Sequence, residues 1–223
     1  MAQPTTAVDR SRERAQMVAQ HLRARGIADE RVLAAFRAVP REAFVGPSLA
    51  ESAYADAPLP IGLGQTISQP FVVAAMVESL RVGEHDRVLE VGAGSGYAAA
   101  ILSRLAGRVV AVERHLELAD AARDRLAALG FDNVDVRHGD GTRGWTPDAP
   151  FDAILVSAGA RRVPPALEEQ LAVGGRLVIP VGELDHQELR RIVRRSDGTL
   201  AEERLGGVSF VPLVSQQPEA QGG

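Results

Sequence analysis

The sequence predicts an α/β protein: a doubly wound, mainly parallel sheet with antiparallel C-terminal strands and an N-terminal helical appendage. Three observations carry this. From Arg87 onward, short β-branched runs (RVLEV, RVVAV, NVDVR, FDAILV and GRLVIPV) alternate with helical segments such as Leu116 to Leu129 and Pro164 to Leu171. Strands separated by helices are joined by right-handed crossovers and pair in parallel. The last runs, QELRRIVRR and the region around VSFVPLV, follow without a long helix between them. Strands joined by short connections pair antiparallel. Ahead of Arg87 the apolar period is helical instead.

In the N-terminal part, Val18, Leu22 and Arg25 share a helical stripe, and Gly26 is a stop signal. A second helix is expected from Asp29 to Val39, with Val32, Leu33, Phe36 and Val39 on one face and Pro40 ending it. Neither helix can bury its face alone, so residues 1–57 are expected to pack on the core. Residues 58–80 form a loop, PLPIGLGQTISQP, followed by a helix, and residues 81–216 form the α/β core. The polar ends, before about Ser11 and over 217–223, are expected to be frayed tails.

Bulk properties exclude several functions. A length of 223 residues suits one domain. The net charge of −4 gives no electrostatic case for nucleic acid, and the arginine run at 190–195 reads as a solvated strand edge. The absence of cysteine removes disulfides, thiolate metal sites and cysteine nucleophiles, and permits a reducing compartment. His21, His85, His115, His138 and His186 show no ligand spacing, so no metal is expected. The N-terminus lacks the apolar core of a secretory signal, and no apolar stretch reaches the roughly 20 residues that span a bilayer. A cytoplasmic monomer without membrane contact is expected.

The chemistry centres on Glu90-Val91-Gly92-Ala93-Gly94-Ser95-Gly96-Tyr97, a buried strand, a glycine turn and a helix start. Ligands in open α/β sheets sit at the carboxyl ends of the strands. A dinucleotide fingerprint needs a small residue where Tyr97 stands, which argues against NAD. Three alternate glycines let a ligand approach bare backbone, with Ala93 between them. Glu90 would repel a pyrophosphate but can accept from an ammonium. Glu113, ending the second strand, can accept both hydroxyls of a ribose, and Asp140, with Gly141 beside it, can receive an exocyclic amine. Taken together, these three acceptors describe S-adenosylmethionine. Singly, each acid is equally well a surface carboxylate or a helix cap.

At this point the chain resembles the protein-L-isoaspartate O-methyltransferase family, over roughly Val18 to Val214. The resemblance rests on VPREAFV (Val39–Val45), GQTISQP, the glycine turn, HGDGTRGW (His138–Trp145), FDAILVSAGA, VGGRLVIPVG and FVPLV (Phe210–Val214). It implies a class I methyltransferase fold, Rossmann-like, that moves methyl from S-adenosylmethionine to the free α-carboxylate of L-isoaspartyl residues in damaged proteins and peptides. The ester then reverts through a succinimide. It also implies Ser68 as the active-site residue. Two places depart from the family: Ser157-Ala158-Gly159-Ala160 replaces a threonine-alanine-alanine-proline run, and Ser209 replaces an arginine. Both bear on peptide preference. Rival readings are a methyltransferase for another carboxylate or a small molecule, and a cofactor-binding adaptor without catalysis.

A carboxylate is already ionised at pH 7, so transfer to it needs no general base. Positioning and desolvation remain. Pro70 opening an apolar run predicts a helix start near Ser68 to Gln69, and such an N-terminus can hold an anion. Ser68 then either binds the substrate carboxylate or caps its own helix. Thr66 and Gln65 are expected beside the substrate, and Gly62 and Gly64 in turns. Tyr54 and Asp56 read as packing and turn residues, and Trp145 as core. The extended Val208 to Val211 segment, with Val208 and Phe210, either offers a peptide an edge or is an ordinary closing strand.

Overall fold

Five of the β-branched runs lie side by side and parallel, as their helical spacing requires. The structure, a computed structural model, describes residues 9–183 and 186–215. The expected tail at 217–223 lies outside them. A seven-stranded sheet has the order β5-β4-β3-β6-β7-β8-β9. Its strands are β3 (Arg87–Val91), β4 (Arg108–Glu113), β5 (Val134–His138), β6 (Phe151–Val156), β7 (Leu171–Glu183), β8 (His186–Arg194) and β9 (Leu200–Val208). The first five pair in parallel and the last two antiparallel. The chain builds outward from β3 to β5, then returns to lay β6 on the other side of β3. The carboxyl end of β3 is thus the topological switch point.

Helices cover both faces. One core joins α3 (Pro70–Leu80), α4 (Tyr97–Ser103) and α5 (Leu116–Ala128) to Val88, Val109 and Leu155, and a second joins α6 (Pro165–Glu169) to Leu89, Val110 and Ile154. Alternate residues of β3 enter different cores, as the two-residue period of a strand dictates.

The N-terminal helices α1 (Ser11–Met17) and α2 (Glu30–Ala38) belong to the first core through Met17, Val32, Leu33 and Phe36. Helix α1 continues through a π turn at Val18–Leu22 and a 3₁₀ turn at Arg23–Arg25, and ends on Gly26 at φ 105°. Val18 and Leu22 are fully buried, but Arg25 lies outside the core, its guanidinium 3.6 Å from the Phe71 ring centroid. Asp29 caps α2, accepting from the N–H groups of Arg31 and Val32.

Three expectations change. The loop at 58–70 contains a hairpin, β1 (Leu59–Gly62) with β2 (Gln65–Ile67), whose tip places Leu63 and Gly64 at positive φ. Helix α6 stops at Glu169, because Leu171 already pairs with Phe151. The last strand is not VSFVPLV but Leu200–Val208, which lacks apolar alternation because it is exposed along most of an edge. Residues 209–215 leave the sheet and run as a strap, bridging Gly159 through Pro212.

Replacing Asp29 with Ala removes the α2 cap and is expected to cost about 1 kcal/mol. Urea denaturation followed by far-UV circular dichroism measures it.

Candidate active site

The glycine turn is fastened to the end of β4. The N–H groups of Gly92 and Ala93 donate to Val112 O at 2.8 and 3.2 Å, and Gly94 N donates to Glu113 Oε2 at 2.8 Å. His115 N donates to Glu113 Oε1 at 2.9 Å. Each Glu113 oxygen therefore holds backbone and keeps a lone pair for a further donor. Gly92, Gly94 and Gly96 have φ of 86°, 52° and 88°, which a side chain would strain. Gly96 also lets α4 approach α5, since a Cβ there would sit 3.0 Å from Leu126 Cδ1. Tyr97, next in line, is buried edge-on against Phe36 and Phe44 rather than opening a pyrophosphate site.

Glu90 is 1% exposed. Ser157 Oγ donates to its Oε1 at 3.3 Å, and among the described residues its Oε2 has no partner. Burial pushes the Glu90 carboxyl up to about 8; the Ser157 hydrogen bond opposes this and the Glu113 charge adds to it. A buried, half-satisfied carboxyl favours a cationic donor beside it.

Three adjoining spaces share Thr66 and Ser157, and Glu90 lines the innermost. An inner pocket of about 40 Å³ is lined by Glu90, Gly92, Gly94 and Tyr97 together with Thr66, Ser68 and Phe210. A groove of about 70 Å³ runs past Glu113, His115 and Gly141 beneath Val211–Val214. A cleft of about 970 Å³ opens between Ser68, Gln69 and Val72 on one wall and Val208–Pro212 on the other. Thr66 and Ser157 line all three, while Ser68 and Phe210 line the pocket and the cleft.

Most of the residues singled out in the sequence come together here. Gln65 lines the groove beside Glu113 rather than the cleft. Gly141 lines the groove too, with no room for a Cβ against Val91. Asp140 is not among the groove residues; its Oδ1 accepts from Thr142 N at 3.0 Å and Thr142 Oγ1 at 2.7 Å, capping the turn that presents Gly141.

Ser68 does not cap α3. That helix begins at Pro70 with Gln69 at its N-cap and no side-chain cap of its own. Asp56 takes the role from outside, accepting from Phe71 N at 3.1 Å and Gln69 Nε2 at 2.7 Å. A carboxylate already answers this helix N-terminus, and Ser68, which caps nothing here, lines the cleft beside Gln69. Phe210 likewise offers a peptide no main-chain edge: its N–H donates to Gln187 Oε1 at 2.7 Å, and Gln187 Nε2 donates to its carbonyl at 3.1 Å. Its contribution to the site is its ring. Gln187 and the capping Asp56 carry no local motif, and only the folded contacts disclose them.

The family model for protein-L-isoaspartate(D-aspartate) O-methyltransferase matches residues 12–218. The chain belongs to this family. Among curated relatives, the protein-L-isoaspartate O-methyltransferase of Methylorubrum extorquens (strain PA1) is 57% identical over 206 residues, covering 92% of this chain and 90% of its own. That of Methanoculleus marisnigri is 54% identical over 205 residues, covering 92% and 93%. A Plasmodium falciparum beta-aspartate methyltransferase, crystallised with S-adenosyl-L-homocysteine, superposes with a TM-score of 0.78 at 28% identity, covering 90% of this chain and 98% of that one. The fold is that of class I methyltransferases.

The raised Glu90 carboxyl fixes the sign of one pH effect. Below about pH 4.5 the group is neutral folded and unfolded; from there to about 8 only the unfolded chain ionises it, so stability is lost as pH rises. Glu90→Gln is expected to flatten that decline. Melting temperatures of the ligand-free protein, wild type and variant, at pH 5 to 8.5 measure it.

Proposed function

We propose that this protein methylates the free α-carboxylate of L-isoaspartyl residues in damaged proteins and peptides, using S-adenosylmethionine and starting repair through a succinimide. The observation that carries the reading is the meeting of the acid-lined pocket and the open cleft at Thr66 and Ser68. When bound, S-adenosylmethionine supplies a methyl on a sulfonium, which a carboxylate oxygen takes to form an ester and a neutral thioether.

The residues present fit such a group. Glu90, buried with an unpartnered oxygen, suits its ammonium, and the turn at Gly92, Ala93, Gly94 and Gly96 leaves bare backbone for close approach. Glu113 keeps acceptor capacity for ribose hydroxyls, Gly141 flanks the groove, and Asp140 is assigned the exocyclic amine.

On the opposite side, Ser68 and Thr66 present hydroxyls, and neither lysine nor arginine is among the described residues lining the cleft. Ser68 and Thr66 orient the substrate carboxylate by hydrogen bonding without neutralising the charge that makes it a nucleophile. Gln65 holds the hairpin side of the cofactor groove, and Val208 with the Phe210 ring walls the cleft that takes the polypeptide. The apolar Val73, Met76 and Leu155 beside the pocket help exclude water, which strengthens each remaining electrostatic contact.

The reading extends to a monomer working in the cytoplasm, on neither nucleic acid nor membrane. It is supported by the net charge of −4 and the lack of cysteine, and by arginines of the last strands already matched, as in Arg190–Glu202 at 2.9 Å.

Labelled S-adenosylmethionine, offered with matched peptides differing only in an isoaspartyl or aspartyl linkage, is expected to label the first alone. Equal labelling of both, or of neither, refutes the assignment. Ser68→Ala removes a hydrogen bond to a charged group, a contribution of about 1.5–3 kcal/mol. It is expected to lower kcat roughly 10- to 100-fold. Affinity for S-adenosylhomocysteine, measured by calorimetry, is expected to stay within about twofold of the wild type.

A further inference from the structure

Strand β8 begins at His186, so beyond Val208, the register partner of Gln187, the chain leaving β9 has little strand left to pair with. A chain in that position would run off the end of the sheet. Instead it turns across the carboxyl ends of the parallel strands, and one side chain accompanies the turn. Gln187, 3% exposed, uses both ends of its carboxamide on Phe210: the oxygen accepts from Phe210 N at 2.7 Å and the nitrogen donates to Phe210 O at 3.1 Å. That is the donor–acceptor pair a neighbouring strand would offer.

The next contacts belong to Gly159. Its N–H donates to Val211 O at 2.8 Å, and its carbonyl accepts from Leu213 N at 2.7 Å. A methyl on Gly159 would overlap the Gln187 carboxamide. The amide and the bare glycine thus occupy one space, and together they set the register of residues 209–213. That register puts the Phe210 ring between the cleft and the pocket, on the same boundary as Ser68.

We propose that Gln187 is a positioning residue for the isoaspartyl substrate: by standing in for a strand, it holds the Phe210 wall of the cleft in place. This rests on the function proposed above. Losing the carboxamide leaves two buried main-chain groups of Phe210 without partners, an arrangement that moves the strap rather than being tolerated. The larger effect falls on the polypeptide side: Val211–Val214 of the same strap also cover the cofactor groove, but Glu113 and the glycine turn hold its acceptors from the other wall.

Steady-state kinetics with an isoaspartyl hexapeptide, calorimetry with S-adenosylhomocysteine, and melting temperature test this on four chains: Gln187→Ala, Gln187→Glu, Gly159→Ala and the double variant Gly159→Ala/Gln187→Ala. Gln187→Ala is expected to raise the peptide KM about 10-fold or more, in line with about 1 kcal/mol for each lost hydrogen bond, with cofactor-product Kd within threefold. Gln187→Glu, which keeps the acceptor for Phe210 N, is expected to fall between it and the wild type. Gly159→Ala is expected to raise the peptide KM in the wild-type background and to add little to Gln187→Ala, since both act on one contact. Peptide KM within twofold of wild type in Gln187→Ala overturns the proposal. So does a parallel loss of peptide KM, product affinity and melting temperature, which marks a merely structural role. Should Gln187→Ala not fold, Gln187→Glu and Gly159→Ala decide by the same criteria. A wild type that fails to label the isoaspartyl peptide strikes the proposed function instead, so the two failures are distinguishable.

Discussion

The carboxylate of Glu113 holds two stretches of backbone at once. By parallel register, β4 ends one residue beyond Val91, the last residue of β3, and that offset brings the Glu113 side chain against the turn that follows β3. With one oxygen on Gly94 N and the other on His115 N, it joins the glycine turn to the start of α5. Gly92, Gly94 and Gly96 take left-handed backbone without steric strain, and the bond from Gly94 N to Glu113 holds the turn in place. Pocket and groove both take their shape from this turn, and so does the position of Glu90 relative to the hydroxyls across from it.

The two sides of the site differ in chemistry. Its inner side is acidic and dry, with a carboxyl so short of solvation that a neighbouring cation would be welcome. The outer side is neutral and hydroxylic, suited to an anion that has to keep its charge. Such a division matches a transfer between a sulfonium and a carboxylate, where the reactants neutralise each other. A cation beside Ser68 would bind the acid more firmly but also make it a poorer nucleophile. Hydrogen bonds from Ser68 and Thr66 strike a balance between holding and quenching.

The parallel half of the sheet was legible because its strands are continuous apolar runs bounded by helices, and the place of Glu113 because it ends one of them. The hairpin at Leu59–Ile67 was not, since its four-residue first strand alternates half-buried and exposed positions with Pro60 among them. Strand β9 escaped for the opposite reason: it is an edge with charged residues facing both ways, so no period distinguishes it from loop. The apolar FVPLV imitated a strand, but its partners are a side chain and one glycine rather than a ladder. Ser68 was legible as a hydroxyl near a helix start, yet that it does not cap this helix emerges only from Asp56 standing at the cap, twelve residues upstream in the chain.

That aspartate has a wider reach. Besides Phe71 and Gln69 it receives Arg25 Nη1 at 2.5 Å, and Arg25 in turn covers the Phe71 ring. A single acid thereby couples the close of the N-terminal helix to the start of α3, next to Ser68. Loosening those first turns would release a mooring of the segment beside Ser68, so an alteration more than forty residues away in sequence would be felt at the cleft with the sheet still whole.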